Sequence, residues 1–410
     1  MSRPKNQNYP PAVVIGLNAA ALSIIRSLGR KGIRIIGLYE NPSDCCAKSK
    51  YLSEKLYQKP LCDEPLIGRL LEEVVPTLRE SAVLFCATDE SVLTISKYQH
   101  QLRPYFQFIL PNYEVIRTQI SKKKFHEFAS NNSFPVPDSF FTSGIDDTKK
   151  IADEITFPCI VKPEYKDSSW HSKLPNKKVL YADSKQGLLL QIEHHKIEDR
   201  PLIIQEWIPG DDSDLYFCLL YINQKAEPLA VFTGKKLRQH PHLAGTLSVA
   251  ESIWVPEIAD LSVRLLKAAG CVGFCSVEFK FSRADGRFYV IEPTVGRPDS
   301  QEGFCVSTGL DIPYVAYREA IGENCTILGD FTRGIKWIDE ELAYYTIQEY
   351  FRKTLKLSDL RSLFKGKRAY SLWAKDDPFP ALSFIRQKLF HAASKLPNLL
   401  ALSRARPALQ

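Results

Sequence analysis

The chain has 410 residues, 44% of them hydrophobic and 25% charged, with a net charge of +7. That length leaves room for two or three domains with their own cores, and no apolar run approaches the ~18 residues that cross a membrane. The charge is uneven: residues 331–410 hold 15 Lys/Arg against 7 Asp/Glu, and residues 1–330 hold 39 against 40. A neutral body excludes a basic nucleic-acid cleft and leaves the tail as the part that could meet an anionic surface.

Residues 1–8 lack the apolar stretch of a signal peptide. Ala12-Val13-Val14-Ile15 then reads as a buried strand, Gly16 as a turn, residues 19–30 as a helix and residues 33–39 as a second strand, a βαβ opening. A further strand at 82–86 leads through Asp89-Glu90 to a helix at 91–102, and a short strand at 106–110 closes a doubly wound α/β unit. Asp89 and Glu90 stand where such sheets bind ligands or, equally, where a helix is capped. The first turn, Gly16-Leu17-Asn18-Ala19-Ala20-Ala21, keeps one glycine of Gly-x-Gly-x-x-Gly, which argues against a dinucleotide site. The ten cysteines are scattered without a Cys-x-x-Cys pair and read as buried thiols of a reducing compartment, and the histidines show no metal-site spacing with them.

Residues 118–131 read as a helix carrying Lys122-Lys123-Lys124. Strand-rich sequence follows to about residue 325. It contains Lys162 at the end of an apolar strand, Gln205-Glu206-Trp207-Ile208 leaving another strand for the turn at Gly210-Asp211-Asp212, and Lys235-Lys236-Leu237-Arg238 after a third. A lysine ending an apolar strand is a snorkelling rim residue or a cation aimed at an anion, and a basic strand end is also a guard against edge pairing.

The most informative stretch runs from Val277 to Glu292. Two alternating strands flank Ala284-Asp285-Gly286, a three-residue loop that favours glycine last. Counting outward from Arg283 facing Arg287 sets Glu278 opposite Glu292. Carboxylates facing one another ~4.5–5.5 Å apart repel, and a hard divalent cation would neutralise them. Screening by Lys280, Arg283 and Arg287, or a two-residue turn that parts the pair, is the alternative.

In this order the elements resemble the ATP-grasp superfamily over roughly residues 10–325, and most closely its carboxylate–amine ligases, such as carbamoyl-phosphate-synthetase-like proteins and D-aspartate ligase. The resemblance implies an α/β and α+β chain. A Rossmann-like pre-ATP-grasp domain would occupy 1–112, a two-lobed ATP-grasp domain 113–325, and a basic, mainly helical extension 326–410. It implies ATP-dependent activation of a carboxylate as an acyl phosphate and its transfer to an amine. Lys122 would be the first ATP lysine and Lys162 the lysine on the α/β-phosphates, with Lys177 or Lys178 supplying charge in place of the usual glycine-rich loop. Gln205, Glu206, Trp207 and Ile208 would form the hinge that reads adenine, with Asp212 near the ribose. Lys236 and Arg238 would approach the γ-phosphate and Arg297 the phosphoryl or substrate anion. Glu278, Glu292 and Thr294 would hold magnesium, as two ions, with manganese as a substitute.

Two departures bear on activity. Glu292-Pro293-Thr294 stands where the family commonly has Glu-x-Asn, and the loop 164–176, with Trp170 and His171, contains no glycine. They keep two other readings open: an ATP-binding protein without ligase chemistry, and a kinase-like enzyme with a non-carboxylate acceptor. The expected partners are a small carboxylate and a small amine, without nucleic acid, and a second copy of the chain is a candidate partner. The expected location is the cytoplasm. In the tail, Leu382, Ile385, Leu389, Ala393 and Leu396 recur at helical spacing. That stripe would pack on the enzyme body or a second subunit, or lie on the inner face of an anionic membrane.

Overall fold

The computed structural model describes residues 9–404 except 165–169, 171–173, 175–177, 198–199, 324, 326–328, 352–356, 358–360, 362 and 364. His171 and Lys177 lie outside the described residues.

The opening unit is a five-stranded parallel sheet. Its strands are β1 (Ala12–Ile15), β2 (Ile35–Tyr39), β3 (Glu54–Tyr57), β4 (Ala82–Cys86) and β5 (Phe106–Gln107), in the order β3-β2-β1-β4-β5. β3 escaped the sequence reading because Glu-Lys-Leu-Tyr is half exposed and lacks an apolar run. Gly16 turns the chain with φ +88°, and a Cβ there would lie 2.8 Å from Thr88 Cγ2. Asn18 then caps the helix Ala19–Gly29: its Oδ1 accepts from Ala21 N at 3.0 Å and its Nδ2 donates to Ala87 O at 2.8 Å.

The basic helix expected at 118–131 is two helices, Tyr113–Ile120 and Lys122–Asn131. Ser121 leaves helical geometry and caps the second through Lys124 N. A small lobe follows, an antiparallel sheet of order β6-β9-β7-β8 built from β6 (Ser139–Thr142), β7 (Cys159–Pro163), β8 (Leu180–Ala182) and β9 (Leu202–Glu206). It has a core of its own, in which Trp170 and Leu174 meet Val161, Leu180 and Ile204.

The third sheet has seven strands: β10 (Leu215–Ile222), β11 (Pro228–His240), β12 (Thr246–Ser252), β13 (Gly273–Ser282), β14 (Arg287–Val295), β15 (Lys336–Ile338) and β16 (Arg368–Tyr370). Their order is β14-β13-β10-β11-β12-β15-β16. Two continuous cores join this sheet to the opening one, and both contain residues of each: Val13 and Leu84 with Phe279 and Val290, and Val14 and Phe85 with Phe217 and Phe274.

The tail is mainly helical as expected, in Glu340–Phe351 and Phe379–Arg404, but it also holds two short strands. β15 adds to β12 and β16 adds to β15, so the tail extends the large sheet before its last helix. A lone three-residue strand has no periodicity to betray it, and its pairing is wholly long-range. All ten cysteines are free thiols, and eight are buried.

Candidate active site

The expected carboxylate pair is present, by a route the sequence did not reveal. The hairpin loop is one residue longer than expected, residues 283–286 between Ser282 and Arg287, and Gly286 takes the left-handed φ of +71°. A bulge between Phe279 and Glu278, with Ile291 as the extra residue on β14, offsets that residue, so Glu278 stands opposite Glu292. Burial pushes the Glu278 carboxyl above its usual range, and the charge of Glu292 acts in the same direction against the ammonium of Lys236. The screening alternative is not what the fold uses. Lys280 donates to Asp211 O at 2.8 Å and Arg283 pairs with Asp214 at 2.8 Å, whereas Lys236, from β11, donates to Glu278 Oε2 at 2.5 Å.

These carboxylates border a cleft of about 650 Å³ between the small lobe, the large sheet and the start of the helix Ala19–Gly29. Twelve of the fourteen expected site residues line it: Lys122, Lys162, Lys178, Gln205, Glu206, Trp207, Ile208, Lys236, Glu278, Glu292, Thr294 and Arg297. Lys162 projects from β7 and donates to Gln205 Oε1 at 3.0 Å, and Gln205 passes its own amide N–H to Ser139 Oγ at 2.7 Å. Burial lowers Lys162 to about 8, with Lys122 adding to the shift and Glu292 and Glu278 opposing it. Lys122 donates to Pro163 O at 3.1 Å. Lys178, entering β8, reaches over to Thr246 Oγ1 at 2.6 Å and so ties the small lobe to the large sheet.

At the end of β9, the Trp207 N–H donates to Pro158 O at 2.9 Å, and its ring stands edge-on to Tyr181. Arg297 binds Asp89 of the opening unit at 2.5 Å, at the first turn of the helix Asp89–Lys97. Thr88, not Asp89, caps this helix, and Asp89 in its first turn pairs with a site arginine.

Arg238 and Asp212 are the corrections. Neither lines the cleft. Lys236 and Arg238, two residues apart in a regular strand, would share a face, but the register of β11 slips between them and separates the two side chains. The Arg238 guanidinium lies 3.8 Å from Asp212 and 3.1 Å from His242 Nδ1. Asp212 is 1% exposed and accepts from Gln239 N and Nε2, His242 Nδ1 and Leu243 N. Burial would raise this carboxyl, but the hydrogen bonds from His242, Gln239 and Leu243 outweigh it and hold it at about 2. Asp212 thus pins the loop after β11 and is not presented to a ribose.

The fold also brings Asn18, Ser276, Asp299 and Gln301 to the site. Ser276, opposite Thr294, donates to Asp299 Oδ2 at 2.8 Å, and Asn18, Asp299 and Gln301 line the cleft. The only sequence signals for them were the position of Asn18 at a helix start and the run of polar residues after Arg297.

No protein-family model matches the chain. The carbamoyl phosphate synthase large chain, N-terminal section, of Aquifex aeolicus is 25% identical over 312 residues, covering 72% of this chain and 53% of that protein. The arginine-specific large chain of Bacillus subtilis is 23% identical over 308 residues, covering 72% of this chain and 28% of its own length. The chain thus spans about half the length, or less, of these curated relatives. Among solved structures, N5-carboxyaminoimidazole synthetase from Staphylococcus aureus complexed with ADP superposes with a TM-score of 0.62 at 12% identity, covering 79% of this chain and 81% of that one. The biotin carboxylase–β-γ-ATP complex from Campylobacter jejuni gives 0.59 at 15% identity, covering 76% and 71%. L-amino acid ligase from Bacillus licheniformis gives 0.57 at 14%, covering 77% and 75%. The parallel opening sheet, the small antiparallel lobe and the large sheet bearing the carboxylate pair, together with these likenesses, establish that the chain has the ATP-grasp fold.

Proposed function

We propose that this chain is an ATP-dependent carboxylate–amine ligase, which activates a carboxylate as an acyl phosphate on magnesium-ATP and couples it to an amine. The observation that carries the reading is the pairing of Glu278 with Glu292 in a cleft that also holds Lys162, whose ammonium feels the charge of both.

The donor set fits a hard divalent cation. Two facing carboxylates supply oxygen ligands, and their need for a counter-charge is evident in the ammonium that Lys236 lends to Glu278. Glu278 and Glu292 would hold magnesium as two ions, with the Thr294 hydroxyl alongside and manganese as a substitute. The metal, when bound, neutralises the β- and γ-phosphate oxygens.

This chain's own side chains supply position and charge. Lys122, Lys162 and Lys178 hold the phosphates. The segment Gln205–Ile208 and the Trp207 ring border the base. Lys236 offsets charge on the phosphoryl group during transfer, and Arg297 orients the substrate anion. A carboxylate oxygen attacks the γ-phosphorus and ADP leaves. The amine nitrogen then attacks the acyl carbon, expelling phosphate and releasing a proton. Closure of the small lobe keeps water from the acyl phosphate.

The substrates are a small carboxylate and a small amine, the setting is the cytoplasm, and a homodimer is the proposed assembly. The test is a screen of amino acids and sugar acids, in pairs, for ADP release with magnesium-ATP, with product masses recorded. ADP that forms only with both substrates, with a product lighter by one water than their sum, is the expected result. A phosphorylated product, or nucleotide binding without any acceptor-dependent ADP, overturns the ligase reading.

A further inference from the structure

The helix Phe379–Arg404 is anchored to the body along one face. Ala381 is buried beside Leu22, Cys46 and Leu372, with Phe384 packed against that cluster. Gln387 Nε2 donates to Ser43 O at 2.6 Å, and Lys388 lies 3.5 Å from Glu341 and over the Tyr345 ring. These contacts fix which face looks outward. On the outward face Phe379, Leu382, Ile385, Leu389 and Phe390 are 50%, 51%, 50%, 66% and 78% exposed. The stripe expected from the sequence therefore does not pack on the enzyme body in its described part. A soluble monomer rarely leaves so many large apolar side chains bare on one strip.

The charge decides between the two remaining occupants. Apart from Lys388, which faces Glu341, residues 379–410 contain Arg386, Lys395, Arg404 and Arg406 and no Asp or Glu. Arg386 is exposed beside the apolar strip. A second copy meeting this face about a two-fold axis would set two acid-free basic helices together. An anionic lipid surface would take the apolar side chains among its acyl chains and the cations among its headgroups. The helix would lie flat, because among the described residues no helix is long and apolar enough to cross a membrane. We propose that the outward face of this helix docks the protein on an anionic bilayer, in an orientation fixed by its buried face. This inference is independent of the ligase reading.

Co-sedimentation of the full chain with vesicles tests it. Each cation near an anionic surface strengthens binding about fivefold, and salt screens the effect. Phosphatidylcholine vesicles with about 30% phosphatidylglycerol should therefore bind the protein at low salt about tenfold or more better than at high salt, or than phosphatidylcholine alone. The variant Leu389→Glu/Phe390→Glu should lose about tenfold or more of that binding with its circular dichroism and nucleotide affinity unchanged. Absence of binding to the anionic vesicles at low salt overturns the proposal. So does a dimer in sedimentation velocity that the same variant splits, without vesicle binding by the intact protein, because the face would then be a subunit contact.

Discussion

Arg26 and Asp377 stand 351 positions apart and meet in a buried ion pair at 3.0 Å, with side chains 8% and 0% exposed. Three further guanidinium N–H groups donate to Ser371 O, Leu372 O and Asp377 O, and the Asp377 carboxylate also accepts from Ser49 Oγ and Lys50 N. This pair clamps the C-terminal segment onto the helix Ala19–Gly29, whose N-terminus borders the cleft. Arg26→Ala or Asp377→Ala should each cost about 3–5 kcal/mol, because each leaves a buried charge without its partner. The double variant should cost less than the sum, and urea titrations of the three variants measure this. Additive losses would mean that the two residues act separately.

Glu292→Gln should abolish ADP formation while leaving the urea midpoint unchanged or raised, since it relieves repulsion across the β13–β14 pair. Near-normal turnover of this variant at limiting magnesium would remove Glu292 from the metal site. Thr294→Asn should lower the magnesium concentration needed for half-maximal rate, because an amide oxygen is the better ligand. An unchanged requirement would place Thr294 outside the metal shell.

Lys162 sits at about 8 in the free protein, below its ordinary 10.5. The sign follows from burial, which penalises the charged form in the folded state below about pH 8 and ceases to matter as pH rises towards 10.5. Phosphates favour the ammonium, so nucleotide binding should take up a proton at about pH 8–9. Calorimetry in buffers of different ionisation enthalpy measures that uptake. Lys162→Ala should eliminate it and weaken nucleotide binding by about 1.5–3 kcal/mol. Equal affinity in the variant would place the phosphates elsewhere.

Asp212→Asn should destabilise the protein by about 1–3 kcal/mol, because an amide cannot serve all the donors that converge there. The wild-type carboxyl is held at about 2 against an ordinary 3.8. Its contribution is therefore complete above about pH 4 and lost as pH falls towards 2. Urea midpoints of wild type and Asp212→Asn should converge over that window. Nucleotide affinity at neutral pH should change little, and a large loss would return Asp212 to the ribose.

Local pattern made much of this protein legible. Apolar runs announced β1, β4 and β10, Gly16 marked the first strand-to-helix turn, and alternation across Ala284-Asp285-Gly286 announced the hairpin. Lysines following apolar runs led to Lys162 and Lys236, because a charge at that place must be paired or aimed at something, although β11 runs on past Lys236 to His240. What escaped depends on register and on distant pairing. The bulge that restores Glu278 to Glu292 and the slip that turns Arg238 from the cleft to Asp212 change no residue type, so composition and period are blind to them. The strands β15 and β16 are too short to carry a period and form because an edge of the large sheet is there to receive them. The sequence by itself determined which residues could be strands, caps and charges. Only the tertiary structure decided which of those charges face one cleft, because a one-residue shift in a strand reverses the face on which every following side chain stands.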